Sequence, residues 1–212
     1  MSAIGQTTTA SIPTPRSSLF ANIHADLCRS ALDQQPWLKA EELSFAQKLF
    51  AFVRPTTQVV VAHRFRYWAR RLRIPIVRPL LLIGIVLYQR FLTFWTGVII
   101  DPQAEIGPGL LVHTPYAVFV GGTKIGANCT VQSGVLIPTG SRGVGDNVYF
   151  GPGAKLLADT KVGNNVVIVA NSVVLTDVPD NTTIVGVPAR IRLPGGRPRK
   201  FNRVVGTEEE PR

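Results

Sequence analysis

Three histidines stand in this 212-residue chain, His24, His63 and His113, and imidazole is the side chain that trades a proton near neutral pH. His113 sits in Val112-His113-Thr114-Pro115-Tyr116-Ala117, directly after a position of a regular apolar repeat, where the chain turns a corner. A lone histidine is more often structural than catalytic, but of the three only His113 lies within the repeats, at a corner of the coil. His113 is therefore a candidate general base, and proton removal from a hydroxyl is the chemistry it would serve. The cysteines offer less. Cys28 and Cys129 lie far apart with no CxxC spacing, which indicates neither a disulfide framework nor a zinc site. No residue grouping calls for a metal, and reducing cytosol is the expected compartment.

The scaffold that must hold this corner is written in a six-residue beat. Branched or large apolar residues return at Ile100, Ile106, Val112 and Val118, then at Ile125, Val131 and Ile137, then at Val144, Phe150, Leu156, Val162, Ile168 and Val174. Neither a helix nor an alternating strand has this period; it is that of a parallel β-helix built from hexapeptide repeats. The steps from Val118 to Ile125 and from Ile137 to Val144 are one residue longer, so two corners are expected to carry an insertion. Four positions after the beat stand small or β-branched residues, Ala104, Cys129, Val135, Ser141, Val148, Ala154, Thr160, Val166 and Ser172, as a narrow coil interior demands. Gly107, Gly126, Gly145, Gly151 and Gly163 follow the beat, where a turn needs positive φ or close backbone approach, and Asn128, Asn147 and Asn164 suit left-handed turn positions.

Four regions follow from composition. Residues 1–18 are rich in Ser, Thr and Pro without an apolar core segment and read as a disordered leader, not a secretion signal. Residues 19–97 form a helical region, 98–193 the β-helix and 194–212 a basic, flexible tail. Helical spacing is seen at 19–33, 43–53, 57–72 and 79–93, with breaks expected near Pro36, Pro55, Pro75 and Pro79. Much of the net charge of +10 falls in this region, since no acidic residue stands between Glu42 and Asp101 while Arg64, Arg66, Arg70, Arg71, Arg73, Arg78 and Arg90 accumulate. The stretch from Pro79 to Ile100 is apolar but for Gln89 and Arg90, short of a transmembrane span. It reads either as a helix at a membrane surface, which would make the protein peripheral at the inner face, or as a helix packed on the end of the β-helix or on a neighbouring subunit. Phe65, Tyr67 and Trp68 among the arginines would suit nucleic acid, but no recognisable motif supports that partner.

Several segments carry a family resemblance: Gly107-Pro108-Gly109-Leu110-Leu111-Val112, Val120-Gly121, Gly153-Ala154-Lys155, Asn171-Ser172-Val173-Val174 and the closing Gly186-Val187-Pro188-Ala189-Arg190. Together they resemble the C-terminal domain of serine acetyltransferases and related hexapeptide-repeat acyltransferases, including sugar and exopolysaccharide O-acetyltransferases. The resemblance implies a left-handed parallel β-helix, a homotrimer, with a dimer of trimers as a further form, and acetyl-CoA as the acyl donor. It also implies the sites. Gly153, Ala154, Ala170, Gly186 and Arg190 fall at donor-binding positions, with the basic tail as a second source of phosphate contacts, and His113 becomes the catalytic base.

The chain departs from serine acetyltransferases at the acceptor. Their corner reads Asp-His, and an ungapped alignment sets His113 on that Asp and Thr114 on the catalytic His. The carboxylate expected before the first coil falls at Ile99, with Asp101 two residues on; the basic loop that holds the serine carboxylate is replaced by a short segment containing Arg142. Asp101, Arg142 and Tyr116, the last able to stack on a sugar ring, are the acceptor-binding candidates. Loss of the two clamps points to a sugar or polysaccharide-precursor hydroxyl ahead of serine. A noncatalytic β-helix scaffold or membrane-docking module is the alternative of a different class.

Overall fold

Local signals begin and end the four helices. The computed structural model describes residues 18–34, 43–74 and 76–192; the expected tail, and the expected leader apart from Ser18, lie outside them. Helix α1 spans Leu19–Gln34. Helix α2, Phe45–Val53, starts in a reciprocal cap in which Gln47 N–H donates to Ser44 Oγ at 3.3 Å and Ser44 N–H to Gln47 Oε1 at 2.8 Å. Helix α3, Pro55–Ala69, opens on a proline, whose missing N–H has no intrahelical partner to lose. Helix α4, Val77–Thr96, ends at Gly97 in the left-handed conformation, φ 66°. Pro79 does not break α4 as expected; it sits in the first turn, where the same freedom from an N–H partner applies.

The remaining chain winds through five coils of short strands. The first three coils hold β1 (Val98–Ile100), β2 (Glu105–Ile106), β3 (Leu111–Val112); β4 (Val118–Val120), β5 (Lys124–Ile125), β6 (Thr130–Val131); and β7 (Leu136–Ile137), β8 (Gly143–Val144), β9 (Tyr149–Phe150). The last two hold β10 (Lys155–Leu156), β11 (Lys161–Val162), β12 (Val167–Ile168), then β13 (Val173–Val174), β14 (Thr183–Val185) and an antiparallel β15 (Arg190–Arg192). Equivalent strands stack in parallel into three faces: β1-β4-β7-β10-β13, β2-β5-β8-β11 and β3-β6-β9-β12-β14. The interior is filled as the spacing demands, with Val131, Ile137, Phe150 and Ile168 from the beat and Ala104, Cys129, Val135 and Ala154 from the small positions all fully enclosed. Burial also pushes the Cys129 thiol up to about 11, so it packs as a neutral group.

Register corrects one expectation in a useful way. Ile100 pairs with Val120 and Val98 with Val118, so Val120 holds the beat on β4 while Val118 belongs to the small column. The irregularity therefore falls in the corner 113–117, which has two more residues than the equivalent corners 132–134, 151–153 and 169–171. The second slip is where expected, and Arg142 is the extra residue beside Gly143, which pairs with Lys161. The corner glycines serve close approach and not positive φ. A Cβ on Gly107 would lie 2.6 Å from Gly126 C, and one on Gly126 would lie 2.5 Å from Gly145 C. Asn128 and Asn147 are left-handed as read, but Asn165 and not Asn164 continues the series. Asn164 instead accepts from Asp146 N–H at 2.8 Å.

The helical region plugs the open end of the first coil. His63 on α3 is buried and its Nε2 donates to Ala104 O at 3.1 Å, closing the first turn from above. Desolvation, followed by the nearby Arg64 charge, lowers its pKa from 6.5 to about 4. Between those values the folded state holds fewer protons than the unfolded chain, so His63 contributes stability that is complete above pH 6.5 and lost as the pH falls toward 4. The expected loss over that window is about 3 kcal/mol, at 1.36 kcal/mol per unit. Urea unfolding at neutral and at acidic pH measures it; His63→Gln should flatten the difference, and an unchanged difference would remove His63 as its source.

Candidate active site

A polar stripe on α1 sets the site. Asp26, Arg29, Ser30 and Asp33 follow one another at helical spacing on a single face, and that face is turned inward. Asp26 is the centre of the contact. Its carboxylate takes Arg64 Nε at 3.0 Å and Nη2 at 3.2 Å, and Oδ1 also accepts the N–H groups of Gly109 and Leu110 at 2.8 and 3.0 Å. Arg64 in turn donates to the carbonyls of Ile106 and Gly107. Burial raises the Asp26 pKa against the pull of Arg64 and the two main-chain donors, so the pair stands on its hydrogen bonds. One turn along, Arg29 donates to Asn128 O at 3.2 Å and Thr130 Oγ1 at 2.9 Å, while Ser30 meets Thr57 at 2.8 Å.

The same stripe delivers a carboxylate to the enlarged corner. Asp33 Oδ1 lies 3.4 Å from His113 Nε2, and the side chain of Asp33 is held from behind by Arg54 at 3.4 Å. Thr114 Oγ1 lies 2.9 Å from His113 Nδ1 and 3.1 Å from Gln132 Oε1. The ring is thus oriented at both nitrogens, Nε2 by Asp33 and Nδ1 by Thr114, while its side chain stays 44% exposed. The backbone is equally constrained. His113 N–H donates to Val131 O at 3.0 Å, Tyr116 N–H to Thr96 O at 2.8 Å, and Gly134 N–H to Tyr116 O at 3.0 Å. Tyr116 and Ala117 close the detour at φ 88° and 52°, conformations that non-glycine residues hold only where surrounding bonds impose them.

The expected site residues divide between two edges of the prism. His113 and Tyr116 lie on the edge joining the third face to the first, and Gly153 and Ala170 recur on that edge in later coils. Gly186 follows β14 at its far end, and Arg190 opens the exposed β15 beside it. From the corner of His113 to that of Ala170 is three rungs, about 14 Å at the spacing of parallel strands. Ala154 is different: its side chain is fully enclosed in the coil, so it shapes the interior and not the surface. Asp101 and Arg142 sit on the edge joining the first face to the second, away from His113 within the protomer. Asp101 Oδ1 accepts Gln103 N–H at 2.7 Å, and Arg142 is committed to the Asp177 carboxylate and, at 2.9 Å, to Asp159 O. Ile99, where the family's carboxylate would stand, is an exposed apolar side chain.

Asp33 was not singled out from the sequence. The usable signal was the Asp26-Arg29-Ser30-Asp33 spacing on an otherwise apolar helix, which marks a polar face with a partner; nothing local identified His113 as that partner.

Comparison with known proteins places the chain among relatives of one kind. Residues 143–176 match the family described as bacterial transferase hexapeptide, six repeats. A serine acetyltransferase of Synechococcus elongatus is 36% identical over 145 residues, 65% of this chain and 57% of that protein. One of Staphylococcus aureus is 44% identical over 106 residues, 46% of this chain and 50% of its own length. The chain thus spans a little over half the length of such curated relatives. Among solved structures, soybean serine acetyltransferase complexed with serine superposes with a TM-score of 0.62 at 31% identity, covering 82% of this chain and 70% of that one. A serine acetyltransferase in complex with CoA gives 0.64 at 25% identity with the same coverage.

Removing one half of the buried pair leaves the other charge unmatched. Asp26→Asn, which keeps an acceptor for the Gly109 and Leu110 N–H groups, is expected to lower the unfolding free energy by about 3–5 kcal/mol; Asp26→Leu combined with Arg64→Met should cost at least as much, because it also strands those N–H groups and the carbonyls of Ile106 and Gly107. Chemical denaturation of the two variants checks this, and a double variant that costs far less would show that the main-chain groups do not depend on the pair.

Proposed function

This chain belongs to the hexapeptide-repeat acyltransferases, in the group of the serine acetyltransferases, and from that premise we propose that it moves an acetyl group from acetyl-CoA to an acceptor hydroxyl with His113 as general base. The observation that carries the reading is the Asp33–His113 contact at 3.4 Å on an exposed corner. Asp33 faces Nε2 and supplies the countercharge for the proton the ring takes up, as the carboxylate does in an Asp-His pair, so the acceptor hydroxyl reaches the ring at Nδ1 by taking the place of Thr114 Oγ1. The donor brings the activated thioester. His113 takes the acceptor proton as the acceptor oxygen bonds to the acyl carbon, and returns it to the thiolate released when the carbon–sulfur bond breaks, so protons balance over one turnover. The edge running from His113 past Gly153 to Ala170 and Gly186 suits an elongated donor: Ala170 is exposed, and Gly153 adds no side chain there. Arg190 is an exposed cation at its far end for the donor's phosphates.

The relatives' names favour serine as the acceptor, and the proposal adopts serine O-acetyl transfer as its first form. A sugar hydroxyl is the second. It is supported by the engagement of Arg142 Nε and Nη2 with Asp159 and Asp177, whose carboxylates compete with a substrate carboxylate for that guanidinium, and by the exposed ring of Tyr116 beside the base.

A thiol-release assay with acetyl-CoA, serine and a panel of sugars decides between them: turnover with serine alone supports the first form, and turnover with a sugar alone the second. With whichever acceptor turns over, His113→Ala should lower kcat/KM by about 10²–10⁴-fold. Asp33→Asn should lower kcat by about 10–100-fold, less than loss of the ring itself, because it orients the base without touching the reactant. Full activity of His113→Ala would remove the mechanism, and no turnover with any acceptor would favour the scaffold reading.

A further inference from the structure

Against the expectation that this stretch falls short of a transmembrane span, α4 starts two residues before Pro79 and is long and apolar enough by length and composition to cross a membrane, yet it lies along the surface of the helical region. One side packs on α3: Tyr88 Oη donates to Gln58 Oε1 at 3.1 Å, and Leu81 and Ile85 join Phe52, Val61 and Phe65 around a groove of about 180 Å³. The other side has no partner among the described residues. Leu80, Ile83, Leu87, Phe91 and Phe94 recur at helical spacing along one stripe, and Phe94 is 88% exposed. Only Leu92 and Thr96 of the whole helix are buried, so the packing against the end of the β-helix that the sequence suggested is confined to its last turns. Across the groove, Phe45 and Leu49 of α2, on the same helix face as the groove-lining Phe52, extend the apolar surface. A stripe this continuous exceeds the scattered apolar exposure of an ordinary monomer.

Charge decides what covers it. No acidic residue occurs between Glu42 and Asp101. Arg54 and Arg64 are paired with carboxylates of α1, but among the described residues Arg66, Arg70, Arg78 and Arg90 form no ion pair. Arg66 donates to the neutral Gln89 Oε1 at 2.9 Å, and its pKa is lowered by burial and then by the neighbouring Arg70 and Arg90 charges. Arg90 flanks the stripe, whereas Arg66 meets Gln89 on the opposite side of α4; pairing the face with itself about a two-fold axis would bring the two Arg90 guanidinium groups together with no carboxylate on α4 to meet them. An anionic lipid surface supplies both missing halves, acyl chains for the stripe and phosphate for Arg90. Trp95 at the end of α4 and Arg90 at the margin of the stripe have the amphipathic form that settles at headgroup level.

We propose that the α4 stripe, extended by α2, seats this protein peripherally on an anionic bilayer, with α4 lying in the interface plane. Its inner side stays on α3, and its last turn runs through Gly97 directly into β1, so the helix lies flat without leaving the fold. The proposal is independent of the acceptor.

Flotation of the full chain with vesicles tests it. The protein should rise with phosphatidylcholine vesicles that also carry phosphatidylglycerol, bind less as salt increases, and bind phosphatidylcholine alone weakly. Leu87→Ser with Phe94→Ser should lower the partition coefficient by about tenfold or more, with circular dichroism and acyl transfer unchanged. Arg90→Gln should weaken binding to the anionic vesicles only. Wild-type protein that stays at the bottom of the gradient with both vesicle types overturns the proposal. So does a fall in oligomer mass on Leu87→Ser with Phe94→Ser, measured by sedimentation, because it gives the face to a second copy of the chain.

Discussion

The buried ion pair between Asp26 and Arg64 is the constraint from which the rest of the arrangement follows. A β-helix presents an open first coil whose carbonyls and N–H groups need partners, and a helical region set on that end must satisfy them or stay wet. Here one carboxylate and one guanidinium do so together, since Asp26 takes the N–H groups of Gly109 and Leu110 while Arg64 takes the carbonyls of Ile106 and Gly107. A hydrophobic contact would have bound the two parts without fixing their rotation. Directional bonds fix how α1 sits on the coil, and so set Asp33, two turns further along the same face, beside His113.

The β-helix contributes a different kind of order. Every regular rung repeats the same three corners, so residues with nothing in common in sequence fall on one edge at a spacing set by strand pairing. This is why His113 and Ala170 share an edge across 57 positions while Asp101, only twelve positions from His113, does not. Proximity in the chain is a poor guide here, and position within the rung is a good one.

That rule also explains what was legible beforehand. The beat from Ile100 to Val174 disclosed the coil and its small interior column, because each depends on a period that survives in one sequence. The location of the extra residues was half legible: Val118 is as apolar as a beat residue, and only the pairing of Ile100 with Val120 reveals that it occupies the small column. Asn164 and Asn165 are chemically identical, so the choice between them is made by the stack of side-chain amides running from Asn147 through Asn165 to Asn181. Asp33 was illegible for another reason. Its role depends on how a helix docks eighty residues away, and no periodicity encodes that.

The displaced imidazole then has a coherent account. In serine acetyltransferases the base follows an Asp at this corner, and moving it back one position on a plain strand would turn it to the opposite face. The strand here stops at Val112, however, and His113 opens a corner two residues longer than its equivalents. That corner is closed by the left-handed Tyr116 and Ala117 and pinned to Thr96 at the end of α4. With Ile99 in place of the earlier carboxylate, the ring draws its partner from α1 instead of from the coil. In the proposed mechanism the proton-transfer unit is therefore divided between two parts of the fold, His113 on the β-helix and the Asp33 carboxylate on the helical region, which the Asp26–Arg64 contact joins.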